Sequence, residues 1–183
     1  MKAIDGIIGV GWIVFWAYWL VMAFTAKAEQ TRWSRFAGVR VGLILVTLVL
    51  IRLRVFRGPG AATRDPWLLG IGLAVFVLGL ALAVWARVYL GGNWGMPMSR
   101  RADPELVTTG PYRWIRHPIY SGLLLGLAGT AIAVSPYWLI AVAIAGAYFL
   151  VSAVVEERTM AQLFPAAYPP YRRVTKMLIP FLL

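Results

Sequence analysis

Residues 110–122 read GPYRWIRHPIYSG and hold the one histidine of the chain, His117, between Arg116 and Pro118. Arg113, Tyr112 and Tyr120 lie close by in the same segment. A second polar group, Glu156-Glu157, follows the charge-free run that extends from Pro118 to Val155. Cations, an imidazole, two carboxylates, tyrosines and a helix start suit a zwitterionic, aromatic-bearing small molecule. A helix N-terminus binds a carboxylate through its free N–H groups. A glutamate accepts hydrogen bonds from sugar hydroxyls or pairs with an ammonium group. Tyr112, Tyr120, Trp94 and Trp114 offer faces to a base or a sulfonium. Each residue alone also has a plainer reading. Arg113 and Arg116 suit membrane-surface anchors, Tyr168 and Tyr171 suit an interfacial aromatic belt, His117 suits a helix cap, and Glu156-Glu157 suits a helix end. It is their combination that points to a site.

These groups act together only if the fold brings them together. The chain has 183 residues, 61% hydrophobic and 14% charged, with a mean hydropathy of +0.74. Soluble domains are about half apolar, so the composition indicates a single membrane domain. The formal net charge of +11 comes from 18 Lys+Arg against 7 Asp+Glu. The arginines fall between apolar runs and form no basic stripe, which fits membrane surfaces and anionic headgroups and argues against nucleic acid. No cysteine is present, which excludes disulfides and thiolate sites, and a single histidine argues against a metal.

Ile7 to Ala26 is free of charge, long enough to span and crowded with Trp12, Trp16, Tyr18 and Trp19. It reads as a retained helix, being longer and more aromatic than a signal-peptide core. Val41 to Ile51 is shorter and needs Arg40, Arg52 and Arg54 to snorkel before a span from 36 to 55 is complete. Asp65-Pro66 is an N-cap followed by a first-turn proline, and opens the uncharged run Pro66–Ala86, whose Gly70, Gly72 and Gly79 suit close packing. Leu90 to Arg116 is the longest polar connection, rich in turn formers.

The 38 uncharged residues from Pro118 to Val155 would make one helix of roughly 57 Å against a bilayer core of about 30 Å. They must fold back, and Ser135-Pro136 marks the turn of a helical hairpin. Gly122, Gly126 and Gly129 on the first arm are expected to let the second arm pack closely. The tail from Glu156, broken by Pro165, Pro169-Pro170 and Pro180, is expected to form short interfacial helices. The expected fold is thus all-α and polytopic, with about five transmembrane helices, residues 1–58 supplying the N-terminal helices and 66–183 the core. A cytoplasmic C-terminus places 13 of the 18 Lys and Arg residues inside, leaving Lys2, Arg52, Arg54, Arg57 and Arg64 outside. The hairpin then makes neighbours of His117 and Glu156, which are 39 positions apart.

LVTTGPYRWIRHPIYSG at 106–122, VEERTMAQLFPAAYPPYRRVTKMLIPF at 155–181 and WARVYLGGNW at 85–94 resemble signatures of the isoprenylcysteine carboxyl methyltransferase family. The resemblance covers the C-terminal half. It implies an integral membrane methyltransferase that uses S-adenosylmethionine and releases S-adenosylhomocysteine. It implies a cofactor pocket lined by Leu106, Val107, Tyr112, His117, Pro118, Ile119 and Tyr120, with Glu156 and Glu157 on the second arm and Pro104 and Glu105 in the adjoining connector. Glu156 and Arg116 are the expected catalytic residues, and Ser152 and Trp94 the expected substrate contacts. The acceptor is expected to be lipophilic, isoprenoid or prenylated, entering from the lipid, and no metal is expected. A prokaryotic inner membrane, with the site facing the cytoplasm, is the expected location.

Three positions depart from the pattern. Pro104 stands where many relatives carry histidine, Pro165 replaces a glycine, and Ser152 stands where eukaryotic members place an arginine implicated in substrate binding. An ionised carboxylate acceptor needs positioning and desolvation only. A phenol or amine needs a base, for which Glu156 or Glu157 is placed. Two other readings remain: an NADPH-dependent membrane reductase of sterol-reductase-like fold, and a non-catalytic lipid-binding protein.

Overall fold

A computed structural model describes residues 2–24, 63, 65–94 and 105–178. Its helices are α1 (Lys2–Ala23), α2 (Pro66–Leu90), α3 (Pro118–Ala133), α4 (Leu139–Leu163) and α5 (Tyr168–Val174), with 3-10 turns at Gly91–Asn93, Gly110–Arg113 and Pro136–Trp138. The extended pairing among the described residues is an isolated parallel bridge between Ile115 and Lys176. The fold is therefore all-helical. Ala3–Ala23, Pro66–Asn93 and Pro136–Leu163 are long and apolar enough to cross a membrane. Helix α3 has 16 residues, about 24 Å, and falls short of a core of about 30 Å. Of the five expected spans, three reach full length and one is this shorter apolar helix. The span expected at 36–55 lies outside the described residues, as does Pro104.

Local signals place the helix starts where they were expected. Asp65 caps α2, its Oδ1 accepting from the Trp67 N–H at 2.8 Å. Ser135 caps the hairpin turn, its Oγ accepting from the Tyr137 N–H at 3.4 Å. Both are followed by proline, whose missing N–H is an orphan in a first turn anyway. Helix α2 runs past the uncharged stretch to Leu90 and so takes in Arg87, which is fully buried. A bare guanidinium at that depth would be costly. Its two NH groups instead donate to the Gly91 and Met22 carbonyls, each at 2.6 Å, and its plane lies over the Trp94 ring. Arg87 thereby joins the C-terminal ends of α1 and α2.

The glycine seam has a different partner from the one expected. A Cβ on Gly122 would meet the Gly79 carbonyl oxygen, and one on Gly129 would collide with the Phe76 backbone nitrogen. Gly72 and Gly79 approach Ala133 and Gly126 in return. These residues pack α3 on α2, and not on the second arm, α4. Gly70 has nothing within reach. In lipid the apolar surface itself supplies no drive between helices, so backbone proximity through small residues must do so. Helix α1 crosses the same seam. The Trp12 indole covers Gly126 and donates to the Thr130 hydroxyl at 3.1 Å. Gly129→Ala is expected to lower stability by about 1–3 kcal/mol, since the clash is with backbone that no rotamer change relieves. Thermal unfolding in detergent measures this, and an unchanged midpoint would refute the α2–α3 contact.

Candidate active site

The hairpin brings His117 and α4 together as the spacing requires. His117 occupies the N-cap position of α3, but its side chain makes no cap hydrogen bond. It turns to α4, with Nδ1 3.4 Å from Glu156 Oε2 and Nε2 3.7 Å from Glu157 Oε1. The second separation allows an ion pair and is too long for a hydrogen bond. Nε2 is therefore a buried nitrogen without a hydrogen-bond partner among the described residues. The Tyr120 hydroxyl donates to Glu156 Oε1 at 2.6 Å. The Tyr120 ring stacks between the His117 imidazole and Phe149 of α4, with interplanar angles of 2° and 8°. A polar end and an apolar wall are so joined in one column of rings.

The two glutamates do not end the helix, as the sequence suggested. Helix α4 continues to Leu163, two turns further on. This carries both carboxylates back from the unfavourable negative end of the helix dipole. On the same face, one turn earlier, Ser152 is fully buried, and its hydroxyl donates to the Tyr148 carbonyl at 2.8 Å.

Arg116 anchors a second layer. Its Nε donates to Glu157 Oε1 at 2.7 Å, with both side chains nearly buried. Its NH1 reaches the carbonyls of Arg172, at 3.3 Å, and Thr175. Arg172 closes on Glu157 Oε2 at 3.2 Å. The tail is also stitched to the backbone of the opening motif. The Arg116 N–H donates to the Lys176 carbonyl at 2.8 Å and the His117 N–H to Met177 at 3.1 Å, while Ser121 Oγ donates to the Leu178 carbonyl. The Tyr171 hydroxyl donates to the Tyr112 carbonyl at 2.7 Å. The tail is thus a structural wall of the site. Thr175, Arg172 and Ser121 were not anticipated. Only the basic pair Arg172-Arg173 hinted at a partner for Glu157.

The remaining expected residues surround this centre. Tyr112, Ile119 and Tyr120 belong to one buried cluster, against which Val107 and Trp94 pack. Pro118 is buried in the first turn of α3, and Leu106 is half-buried. Trp94 meets Trp19 of α1 edge-on at 5.8 Å. Glu105 is exposed and bonds to Asn93, with Asn93 Nδ2 donating to Glu105 Oε2 at 3.3 Å and Glu105 N–H donating to Asn93 Oδ1 at 3.2 Å. That contact ties the connector to the 3-10 turn that follows α2. Gly110 has φ +59 and lies against the Tyr89 ring, a position only glycine fills without strain. It turns the chain into the buried Pro111-Tyr112 pair.

Burial works against charge on His117, but the hydrogen bond to Glu156 and the negative charges of Glu156 and Glu157 outweigh it and raise its pKa above the ordinary 6.5. Burial, helped by Tyr171 and Glu156, pushes the Tyr112 hydroxyl up, and burial pushes Tyr171 up to about 12, so both stay neutral donors. A histidine whose folded pKa exceeds its unfolded value stabilises most at low pH. The His117 contribution is therefore present in full below about pH 6.5 and is lost as pH rises through the higher folded value. Thermal midpoints measured across this range are expected to fall in the wild type, and His117→Gln is expected to remove that component. An identical pH profile in the variant would refute the assignment.

Among the described residues, no group of three or more His, Cys, Asp or Glu could hold a metal. The family model described as phospholipid methyltransferase matches residues 67–167. The chain is 32% identical to protein-S-isoprenylcysteine O-methyltransferase of Tribolium castaneum, over 63% of this chain and 43% of that protein. It is 28% identical to the nickel-cobalt-cadmium resistance protein NccN of Alcaligenes xylosoxydans xylosoxydans, over 77% of this chain and 64% of that one. The chain thus spans less than two thirds of the length of these relatives. Its fold is similar to that of the eukaryotic intramembrane Ras methyltransferase ICMT, with a TM-score of 0.56 and 24% identity, covering 84% of this chain and 55% of that one.

Proposed function

Given that the chain belongs to the phospholipid methyltransferase family, we propose that it is an integral membrane S-adenosylmethionine-dependent methyltransferase acting on a lipophilic, isoprenoid or lipid-like acceptor. The observation that carries this reading is the meeting of His117 and Glu156 across the hairpin, at 3.4 Å, beside a buried imidazole nitrogen without a hydrogen-bond partner among the described residues. The donor set fits the cofactor. Glu156 is an acceptor for an ammonium or a hydroxyl, a charged His117 is a donor to a carboxylate, and Tyr112, Tyr120, Ile119, Val107 and Trp94 supply aromatic and apolar surface. When bound, the cofactor supplies an electrophilic methyl on a sulfonium.

The chain's own residues then position and exclude water. Tyr120 and His117 fix the Glu156 carboxylate from two sides. Glu156 also takes the proton from an acceptor that carries one, whereas an ionised carboxylate acceptor leaves it unused. Arg116 is spent on Glu157 and the tail, so in this reading it positions the site and does not touch the acceptor. Exposed Arg113, Arg172, Arg173 and Lys176 surround the site. They favour its facing the cytoplasm across a prokaryotic inner membrane.

Calorimetry with S-adenosylhomocysteine and, separately, NADPH on the purified protein tests the reading. Radiolabelled methyl transfer from S-adenosylmethionine into total membrane lipid extract accompanies it. Binding of S-adenosylhomocysteine with label in the organic phase is expected. Binding of NADPH alone, or neither binding nor transfer, would overturn the proposal.

A further inference from the structure

Helix α1 lies outside the family-matched residues 67–167, yet it reaches the site. Phe15, Tyr18, Trp19 and Met22 follow one another at helical spacing and so share a face. Trp19 stacks on Phe15 at 5.0 Å and meets Trp94 edge-on. The Met22 carbonyl accepts from Arg87. Tyr18 packs against the cluster that contains Tyr112 and Tyr120. Its hydroxyl is buried and has no hydrogen-bond partner among the described residues.

A tyrosine of an interfacial belt keeps its hydroxyl in water. One that merely fills a core gains nothing from the oxygen, since an unmatched buried hydroxyl is destabilising where phenylalanine is not. Buried polar atoms in native proteins are matched, and an exception calls for a specific reason. Resting on the methyltransferase reading, we propose that Tyr18 is a specificity residue for the methyl acceptor. Its hydroxyl donates a hydrogen bond to an oxygen at the polar end of a lipophilic acceptor whose apolar body lies along Phe15, Trp19 and Trp94. The N-terminal helix, and not the cofactor motif, then selects what is methylated.

The test compares wild type with Tyr18→Phe in full-length protein. S-adenosylhomocysteine affinity and the thermal midpoint are read alongside radiolabelled methyl transfer into graded amounts of total membrane lipid extract. Tyr18→Phe keeps the ring and its packing. The amount of extract giving half-maximal transfer is expected to rise about tenfold, the effect of one hydrogen bond, with cofactor-product affinity unchanged and the midpoint not lowered, since phenylalanine leaves no unmatched oxygen. An unchanged half-maximal amount overturns the inference and leaves the methyltransferase reading intact. Loss of S-adenosylhomocysteine binding in the variant also overturns it, because the hydroxyl would then serve the cofactor or the fold. Failure of the wild type to bind S-adenosylhomocysteine overturns the methyltransferase reading, and the inference falls with it.

Discussion

Glu156→Ala is expected to weaken S-adenosylhomocysteine binding by roughly 10- to 10²-fold and to reduce methyl transfer at least as much. The carboxylate holds the Tyr120 hydroxyl at 2.6 Å and faces His117 Nδ1 at 3.4 Å. A hydrogen bond to a charged group contributes about 1.5–3 kcal/mol, which is the stated range of affinity. Removing Glu156 also releases the two rings beside it, since Tyr120 loses its acceptor and His117 one of its two carboxylates. Glu156→Gln keeps the shape and an acceptor oxygen while removing the charge. It therefore separates the two contributions. Calorimetry on both variants gives the answer, and wild-type affinity in Glu156→Ala would remove this residue from the cofactor site.

Arg116→Ala is expected to destabilise the fold by about 3–5 kcal/mol, the range for breaking one side of a buried ion pair. The loss is large because, among the described residues, Glu157 is left buried with Arg172, which is itself 60% exposed, and the nearby imidazole to offset its charge. The same change frees the Thr175 and Arg172 carbonyls, and with them the tail that walls the site. Arg116→Lys should recover a minor part, because a single ammonium cannot reproduce the fork that meets Glu157 on one edge and two carbonyls on the other. Unfolding in detergent with increasing denaturant measures both variants. A loss under about 1 kcal/mol would place Arg116 in the class of exposed, weak ion pairs.

Much of the site was legible because it rests on short-range rules. Asp65-Pro66 and Ser135-Pro136 set helix starts through caps that span two residues, and both formed. The 38 uncharged residues were too long for one crossing, so the hairpin followed from length alone, and with it the neighbourhood of His117 and Glu156. The family signatures on the two arms then gave that neighbourhood a chemical meaning.

Other features depend on which surfaces meet, and no local pattern states that. Glycines on α3 advertise a face for close packing without naming the partner. Helix α2 offers the complementary Gly72 and Gly79, whereas α4 presents Phe149 and the carboxylates, so the seam forms with α2. Arg116 read alone is a surface anchor. Only the return of the tail, bonded to the backbone of residues 112–117 and to the Ser121 hydroxyl, turns it into a buried clamp. Arg87 likewise became tolerable at full burial only once the Met22 carbonyl of α1 was brought to it. The sequence by itself determined the helical class, the fold-back and the pairing of imidazole with carboxylate, because chain length, caps and charge placement act along the chain. The tertiary structure decided the partner of each small-residue face, the bonding of the tail and the packing of α1 against Arg87 and Trp94. Those depend on backbone approach and on hydrogen bonds between segments far apart in sequence.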